Sequence, residues 1–415
     1  MSTDRENHFL SGKRICVVGS GIAGSMFVSS LYHSWGEYLP APKITVLEQQ
    51  SRDTLLQPNP YIHTLRGGSP NDGLVAVQRL GLLDAVCARS APNSGVIRVW
   101  SDHWKRLATI DPSPYGSLSS AARRIARHDL LRILLERAEA SAASWKWKCT
   151  VTGVERFEGG KMRVTFHDEA SKMTLSQDFD ILIAADGINS SVLACLRPSA
   201  AELSYAGATQ TGGISRLPNG VPNPVHEDYG LQMSSGDGVC CIYTPFDKET
   251  IGWAFSQKGP ERAPKIGSVT DLEFESFKKE VLRAGSMFQE PFKTIVQATD
   301  RDTAFIRPAK ERWVFRHSTQ STGNIVFIGD ANHAINSFVQ LGADLALNDG
   351  WNLATQLCRG LSFEAAVLAY DDLSYPHVVH DMEFSHERIR FGHSTGALWT
   401  LYKHGMAIQR VFKKS

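Results

Sequence analysis

The sequence lacks the features that mark metal-stabilised, disulfide-rich and membrane-spanning proteins. Its seven cysteines are an odd number among 415 residues, and they show no paired spacing of the kind that holds a metal. Scattered cysteines of this kind are typical of reduced thiols, so we expect a cytoplasmic protein. No run approaches the roughly 20 apolar residues of a membrane helix, and the polar N-terminus shows no secretory signal.

A strong charge imbalance is also missing. The chain has 44 Lys and Arg residues against 43 Asp and Glu residues, a formal net charge of +1. Such a balance gives no electrostatic footprint for nucleic acid. With 42% hydrophobic residues, the chain is long enough for two or three units with cores of their own.

Several catalytic signatures are absent as well. No G-x-S-x-G elbow indicates a hydrolase, and no H-E-x-x-H pattern indicates a metalloprotease. His377 and His380 are spaced for one helix face, but we interpret them as packed or solvated histidines. The WKWK run at residues 145–148 partly matches the W-x-W-x-I-P box of flavin-dependent halogenases. Cys149 and Thr150 replace its Ile-Pro, so an amphipathic strand is the better interpretation.

At its start the sequence alternates strand-like and helical runs. KRICVVGS, GSMFVSSLYHSW and KITVLEQ follow one another in βαβ order, which predicts a parallel sheet. Residues 71–88 and 122–143 have helical spacing, and residues 95–111 are typical of a hairpin. From about 200 to 300 the pattern is all-β, with YTPF and TIGWAFSQ as a hairpin. The last third returns to a strand, GNIVFIGD, and then to helices.

The first chemical signal is VVGSGIAG, where three glycines have G-x-G-x-x-G spacing between a strand and a helix. Gly19 allows the tight turn, Gly21 lets backbone approach a pyrophosphate, and Gly24 lets helix and strand pack closely. Glu48 ends the second strand, where a carboxylate accepts hydrogen bonds from a ribose diol. The predicted dinucleotide site comprises Gly19, Gly21, Ile22, Ala23, Gly24, Glu48 and Gln49.

Two more buried strands end in acidic residues. Asp186 and Gly187 follow DFDILIAA, and Asp330 follows GNIVFIG. Either one alone is no more than a strand end with turn residues. The three strand ends would nevertheless meet at the carboxyl edge of one sheet, where open α/β sheets bind ligands.

The three motifs together resemble those of the class A flavoprotein monooxygenases, the aromatic-hydroxylase group that uses FAD. That family carries a glycine-rich βαβ start, then D-G-x-x-S-x-V-R, then G-D-A-x-H-x-x-x-P. Here the later motifs are DGINSSVL and GDANHAINS, and the resemblance spans residues 14 to about 360. IARHDLLRILL supplies the family's helix-opening arginine as Arg127, and RGGSPNDGL, with Arg66, is similar to its loop near the flavin.

The resemblance implies a role for each matched residue. Glu48 would bind the adenosine ribose and Arg127 the polar spine of the flavin. Asp186 would lie near the pyrophosphate, and Asp330 would bind the ribityl hydroxyls. For Arg66 and Arg127, surface salt bridging is the alternative interpretation.

The resemblance also implies a fold and a reaction. The expected fold is α/β, a Rossmann-like FAD-binding domain with a parallel sheet, interrupted by a β-rich substrate domain and followed by C-terminal helices. The expected ranges are 11–68, 112–198 and 301–370 for the first domain, 69–111 and 199–300 for the second, and 371–415 for the helices. The reaction would use NADH or NADPH as a transient donor and O2. A flavin C4a-hydroperoxide would hydroxylate or epoxidise a small to medium, aromatic or heteroaromatic substrate.

This sequence departs from the family pattern at four positions. Leu193 stands in place of an Arg, and in the late motif Ser337, Val339 and Asp344 replace Pro, Gly and Asn. Gly342 is retained, and we expect Gly342, Ala343 and Asp344 beside the pyrimidine edge of the flavin. Asp344 suits an N-cap of the following helix. An ionised carboxylate there would lower the flavin potential.

The substrate side is less clear in the sequence. Alternation puts Cys241 and Tyr243 on one face of a strand, and Trp253 and Phe255 on one face of its partner. We predict that these four residues, with Ser337 and Phe338, contact the substrate; the alternative is that they belong to the core. The sequence identifies no catalytic side chain and no metal ligand.

Two other functions fit the same motifs. A flavin-bearing cyclase, isomerase or reductase would use the cavity without inserting oxygen. A non-catalytic FAD-binding partner protein would keep the cofactor alone, although the large β-rich insertion argues against it.

Overall fold

The computed structural model describes residues 8–36, 39–58, 62–93, 95–157, 160–267, 270–317 and 323–412. Its strands are β1 Arg14–Val18, β2 Lys43–Glu48, β3 Ile62–Arg66, β4 Ser90–Asn93, β5 Ile97–Ser101, β6 Arg106–Ile110, β7 Ala122–Ala126, β8 Ser144–Trp147, β9 Cys149–Arg156, β10 Met162–Asp168, β11 Met173–Phe179, β12 Ile181–Ala184, β13 Ser204–Arg216, β14 Tyr229–Met233, β15 Val239–Pro245, β16 Thr250–Lys258, β17 Lys265–Ile266, β18 Phe305–Glu311 and β19 Ile325–Phe327. Its α-helices are α1 Ile22–Ser34, α2 Arg52–Leu55, α3 Gly73–Arg79, α4 Leu83–Arg89, α5 Arg127–Glu139, α6 Ser191–Leu196, α7 Pro198–Ala201, α8 Asp271–Ala284, α9 Phe292–Gln297, α10 Gly342–Arg359, α11 Phe363–Gly392 and α12 Gly396–Phe412.

A five-stranded parallel sheet, in the order β19-β12-β1-β2-β8, carries the βαβ start of the chain. Ile15 of β1 pairs with Ile181 on one side and Ile44 on the other. It is fully buried, as expected of a strand that is covered on both faces. Phe27 of α1 and Leu353 of α10 belong to the same core cluster as Ile15. The predicted α/β fold with a parallel sheet is therefore confirmed.

The larger, eight-stranded sheet has the order β17-β18-β13-β16-β15-β14-β5-β6. It draws its strands from three separate stretches of the chain, and the predicted hairpin β15–β16 pairs Tyr243 with Trp253. Helices α8 and α9 cover one face, where the rings of Phe288 and Phe292 lie 6.4 and 6.3 Å from that of Phe255. The opposite face is turned toward the parallel-sheet half of the molecule.

Three local expectations were wrong. Residues 200–300 are not all-β, because α8 and α9 lie within them, and α8 begins at a capping box between Thr270 and Glu273. The helix expected over 122–143 begins only at Arg127, because Ala122–Ala126 pairs with β3 as strand β7. The helix expected over 71–88 is interrupted between α3 and α4, where Gly81 has a φ of +76°.

The division of the chain into two domains remains a prediction, and two contacts bear on its boundaries. Strand β18 lies in residues that we assigned to the FAD-binding domain, yet it pairs with β13 of the large sheet. Helix α3 lies in residues that we assigned to the substrate domain. Its Leu74 and Val77 nevertheless share a core cluster with Met26 of α1.

The described part of the chain contains no membrane-spanning helix and no cluster of metal ligands. None of its helices combines the length and the apolar character that crossing a bilayer would require. Within the same residues, no group of three or more His, Cys, Asp or Glu side chains is placed to hold a metal ion. The seven cysteines are all free thiols.

Candidate active site

The glycine-rich turn joins β1 to α1 in a tight crossing. A Cβ atom at Gly19 would collide with the carbonyl of Ala185, and one at Gly24 would collide with the carbonyl of Gly19. A Cβ atom at Gly21 would instead have no neighbour within 4 Å. Gly19 and Gly24 therefore serve the packing of the protein itself, whereas the space beside Gly21 is open to a ligand. Since Gly21 carries no side-chain cap, the first N–H groups of α1 also face that space.

Glu48 is fixed at the end of β2 by three hydrogen bonds. Its Oε2 accepts from the backbone N of Ser20 at 2.8 Å and from the hydroxyl of Ser20 at 3.0 Å, and its Oε1 accepts from the N of Gln50 at 2.9 Å. The carboxylate is thereby held beside the glycine turn with acceptor capacity left over. Gln49, the next predicted residue, is exposed.

Asp186 and its neighbours form the second strand end. Asp186 Oδ2 accepts from the hydroxyl of Ser191 and the N of Val192, both at 3.1 Å, while its Oδ1 is buried without a hydrogen-bond partner in the described structure. Gly187 has a φ of +78° and turns the chain there. Leu193, at the family's arginine position, is fully buried in an apolar cluster with Val192.

Arg312 connects this loop to the third strand end, a role that no sequence motif indicates. Its guanidinium donates to the carbonyls of Ala200, Ala201, Ile188 and Asp330, at distances of 2.8–3.0 Å. The arginine is 5% exposed, and burial lowers its pKa. The carboxylate of Asp330 itself faces the cavity described below, and burial raises its pKa.

A buried ion pair anchors the loop that carries Asp330. His333 Nε2 lies 2.6 Å from Asp349 Oδ2, which also accepts from the N of Gly329 at 2.7 Å. Burial alone would lower the pKa of His333, but Asp349 outweighs it and raises that pKa. The hydroxyl of Ser374 donates to Asp349 Oδ1 at 2.7 Å, so the pair also reaches α11.

These elements converge on one cavity of about 890 Å³ between the parallel sheet and the large sheet. Ten of the predicted site residues contribute to its lining: Gly21, Ile22, Ala23, Arg127, Gly187, Trp253, Asp330, Ser337, Gly342 and Ala343. Its volume is at the upper end of the range that is usual for ligand pockets. The open space at Gly21, the uncapped start of α1 and the unpartnered Asp186 Oδ1 fit a dinucleotide whose hydroxyls and phosphates need such partners.

Comparisons with known proteins agree with this geometry. Residues 13–210 match the family model described as FAD binding domain. The chain is 32% identical over 394 residues to monooxygenase cfoF of Aspergillus candidus, covering 94% of this chain and 93% of that protein. This chain belongs to the class A FAD-dependent monooxygenases. FAD is therefore its cofactor, and the protein is an oxidoreductase.

Two further relatives extend the comparison. The monooxygenase is 27% identical over 373 residues to 3-amino-4-hydroxybenzoate 2-monooxygenase of Streptomyces cremeus, covering 88% of this chain and 83% of that one. The crystal structure of Klebsiella pneumoniae HpxO complexed with FAD and uric acid superposes with a TM-score of 0.75. That likeness, at 16% identity over 98% of this chain and 96% of that chain, concerns the fold.

Arg66 and Asp344 occupy a different place in the monooxygenase from the one expected. Asp344 is the third residue of α10, whose N-cap is Leu341, so the predicted cap is wrong. Its fully buried carboxylate accepts from Arg66 Nε at 2.7 Å and from the N of Gly73 at 3.0 Å, and it does not line the cavity. Arg66 also donates to Asp381 at 2.8 Å. The acid therefore joins β3 and α3 to α10.

The substrate face of the hairpin β15–β16 was predicted on the wrong side. Cys241, Tyr243 and Phe255 share a core cluster beneath α8 and α9, whereas Ile242 and Ala254 line the cavity. Two other residues that we predicted to contact the substrate also make contacts within the protein. The indole of Trp253 donates to Thr299 at 3.0 Å, although the residue contributes to the lining. Phe338 packs in a separate cluster with Ala208, Ala309 and Ile389.

The cavity of the monooxygenase also contains polar residues that the sequence motifs did not indicate. They include His63 of β3, Arg307 and Lys310 of β18, and Gln210 of β13. Gln210 accepts from the hydroxyl of Ser337 at 2.8 Å, which links the large sheet to the late flavin motif. These residues have no local sequence signature, because they meet only through the pairing of β18 with β13 and the docking of β3.

Proposed function

We propose that this monooxygenase uses NADH or NADPH and O2 to hydroxylate or epoxidise a small to medium organic substrate, aromatic or heteroaromatic in character. The observation that carries the proposal is a cavity that has the glycine turn and Asp330 on one side and the large sheet, with Ile242, Ala254 and Phe305, on the other. Bound FAD supplies the electron storage and the oxygen activation. The residues of the chain supply binding, orientation and exclusion of water.

On the cofactor side, each matched residue has a task that its position supports. The start of α1 binds the pyrophosphate through free N–H groups, and Glu48 binds the adenosine ribose. Arg127 binds the polar spine of the flavin, Asp330 binds the ribityl hydroxyls, and Gly342 and Ala343 bring the start of α10 to the pyrimidine edge. Arg312 holds the loops that carry these groups in register.

On the substrate side, an apolar wall is the main feature. Ile242, Ala254 and Phe305 line the cavity from the large sheet, and such a surface suits a flat ring. The substrate named for the Streptomyces relative is a benzoate, and the ligand in the Klebsiella structure is uric acid, a heteroaromatic compound. Both names support a ring compound as the substrate of this chain.

The proposal is tested on the purified protein in three steps. We expect the visible absorption of bound flavin, its bleaching by NADH or NADPH under anaerobic conditions, and O2 consumption that rises with a substrate from a panel of aromatic acids, phenols and purines. With ¹⁸O2, one labelled oxygen atom should enter the product. Product formation without O2 uptake would instead support a flavin-bearing cyclase, isomerase or reductase. A product without ¹⁸O would rule out oxygen insertion.

A further inference from the structure

Gln340, two residues before α10, has a backbone conformation that is unusual for its residue type. Its φ is +55°, in the left-handed region that glycine adopts readily and other residues rarely do. We assigned the missing glycine of the late motif to Val339, but the left-handed residue is the next one along the chain. Four other non-glycine residues of the described chain have a positive φ: Trp104, Lys148, Lys172 and Ser235. Of these five residues, Gln340 is the one that lines the cavity.

The side chain of Gln340 is held by strand β3. The hydroxyl of Thr64 donates to Gln340 Oε1 at 3.0 Å. Two residues further along β3, on the same face of the strand, Arg66 donates from Nε to Asp344 at 2.7 Å. Strand β3 therefore contacts the start of α10 at two points, one on each side of Gly342.

The residues between these two contacts form the helix start that faces the cavity. Gly342 and Ala343 both contribute to its lining. Leu341, the N-cap, makes no side-chain cap hydrogen bond, and the first N–H groups of a helix have no partner within the helix itself. The contacts of β3 with Gln340 and Asp344 thus fix where these N–H groups lie relative to the cavity.

We propose that Gln340 is a positioning residue for the flavin. Its left-handed backbone and its hydrogen bond from Thr64 hold the N–H groups of Gly342 and Ala343 toward the pyrimidine edge of bound FAD. Reduction places negative charge at that edge, which a helix start stabilises. An unfavourable backbone conformation persists where the surrounding structure imposes it, and such residues cluster at functional sites. This inference rests on the proposed function, which puts the pyrimidine edge at Gly342 and Ala343.

The proposal is tested by removing either partner of the hydrogen bond. Thr64→Val removes the hydroxyl, and Gln340→Gly removes the side chain. Each should lower the two-electron reduction potential of the bound flavin, measured on the holoenzyme at a fixed pH. Each should also raise the dissociation constant of FAD about fivefold, as the loss of one hydrogen bond implies. Thr64→Ser keeps the hydroxyl and should retain the wild-type potential and affinity.

The double variant of Thr64→Val and Gln340→Gly tests whether the two side chains act through one contact. Its changes in potential and affinity should be no larger than the larger of the single changes. Additive changes would show that the two residues act separately, and they would overturn the assigned contact.

Lys172→Gly is the matched control for the backbone conformation. Lys172 has a φ of +58° in the exposed turn between β10 and β11 and is not among the residues that line the cavity. Its replacement should leave the potential and the FAD affinity unchanged. Melting temperatures of the apoproteins are measured alongside. A wild-type potential in both Thr64→Val and Gln340→Gly would overturn the proposal, and with a less stable apoprotein it would assign the contact to folding alone.

Gly342→Val separates failure of this inference from failure of the proposed function. A Cβ atom at Gly342 would stand 3.8 Å from Asp330 Oδ1 and from Ile335 Cγ2, which is ordinary contact, so the apoprotein should fold. If this variant binds FAD as tightly as the wild type, the flavin edge does not lie there, and the inference fails with that placement. If it loses FAD while Thr64→Val and Gln340→Gly keep the wild-type potential, the placement stands and the role of Gln340 alone is overturned.

Discussion

Asp344 is completely buried, and its partner Arg66 also interacts with two other acids. Arg66 donates to Asp344 and Asp381, and its Nε lies 3.6 Å from Asp72. Gly73 makes this arrangement possible, because a Cβ atom there would collide with the carboxylate of Asp344. One guanidinium among three buried acids leaves surplus negative charge, so a proton on one acid is favourable.

The charge state of Asp344 should make the stability of the enzyme depend on pH. Burial, opposed by Arg66, raises the pKa of Asp344 to about 7, against ~3.9 in an unfolded chain. Its contribution to stability is thus fully present below about pH 4 and is lost as the pH rises to about 7. We expect the melting temperature of the wild type, relative to Asp344→Asn, to fall between pH 5 and pH 8.

Thermal unfolding of both proteins at several pH values measures this difference. Asp271→Asn, which removes an exposed acid, should follow the wild type throughout. Parallel curves for the wild type and Asp344→Asn would show that the acid stays ionised over the whole range.

Arg312 carries a second prediction at the scale of one residue. Its removal leaves four carbonyls without their donor, two of which belong to the segments that carry Asp186 and Asp330. We expect Arg312→Gln to lower the free energy of unfolding by about 2–4 kcal/mol and to weaken FAD binding. Denaturant unfolding and flavin titration measure the two effects. Arg316→Gln, at an exposed ion pair with Asp372, should leave the free energy of unfolding nearly unchanged.

At the scale of elements, the contact between α1 and α10 sets how closely the late flavin motif approaches the glycine turn. Gly350 of α10 lies against α1 so tightly that a Cβ atom would stand 2.7 Å from the N of Phe27 and 2.8 Å from Cβ of Met26. An alanine in a helix normally gains up to about 1 kcal/mol over glycine. Here overpacking should outweigh that gain by about 1–3 kcal/mol.

We therefore expect Gly350→Ala to lower the melting temperature and to weaken FAD binding, as measured by thermal unfolding and flavin titration. Gly405→Ala is the matched control, because a Cβ atom there has no neighbour within 4 Å and the residue also lies in a helix, α12. That change should leave the protein as stable as before or more so. An equally stable Gly350→Ala would mean that the two helices can separate without consequence.

The hairpin β15–β16 shows which part of the fold could not be predicted from the sequence. The alternation of β15 was predicted correctly, but which face meets the cavity depends on α8 and α9, which we did not expect. The signal for α8 was present, because Thr270 and Glu273 have capping-box spacing. No comparable signal exists for Arg312 or His63. The carbonyls that Arg312 binds, and the residues that line the cavity with His63, come from distant parts of the chain.

At the scale of the whole molecule, the residues at the carboxyl edge of the parallel sheet could be predicted, because each of them directly follows an apolar strand in the sequence. Apolar strands ending at Gly19, Asp186 and Asp330 had to bring those ends to one edge if the sheet was parallel. The orientation of Asp344 was not predictable in this way. It follows from a half-buried arginine, Arg66, that belongs to another sheet.

Gly21 allows the cofactor's contribution to the whole molecule to be separated from the packing of the chain. A Cβ atom there has no neighbour within 4 Å, and the φ of −65° suits any residue, so Gly21→Leu should fold as well as the wild-type apoprotein. The side chain would fill the space that the pyrophosphate needs. FAD at 100 times its dissociation constant should stabilise the wild type by about 2.7 kcal/mol and leave Gly21→Leu unchanged.

Thermal unfolding with and without FAD, together with the visible spectrum, measures both halves of this prediction. Gly24→Leu is the contrasting variant, because its side chain would collide with the carbonyl of Gly19 and should destabilise the apoprotein itself. A yellow Gly21→Leu protein whose melting temperature rises with FAD would show that the pyrophosphate does not lie beside this turn. A colourless Gly21→Leu protein that melts with the wild-type apoprotein would show that the glycine is kept for the ligand, since the fold does not need it.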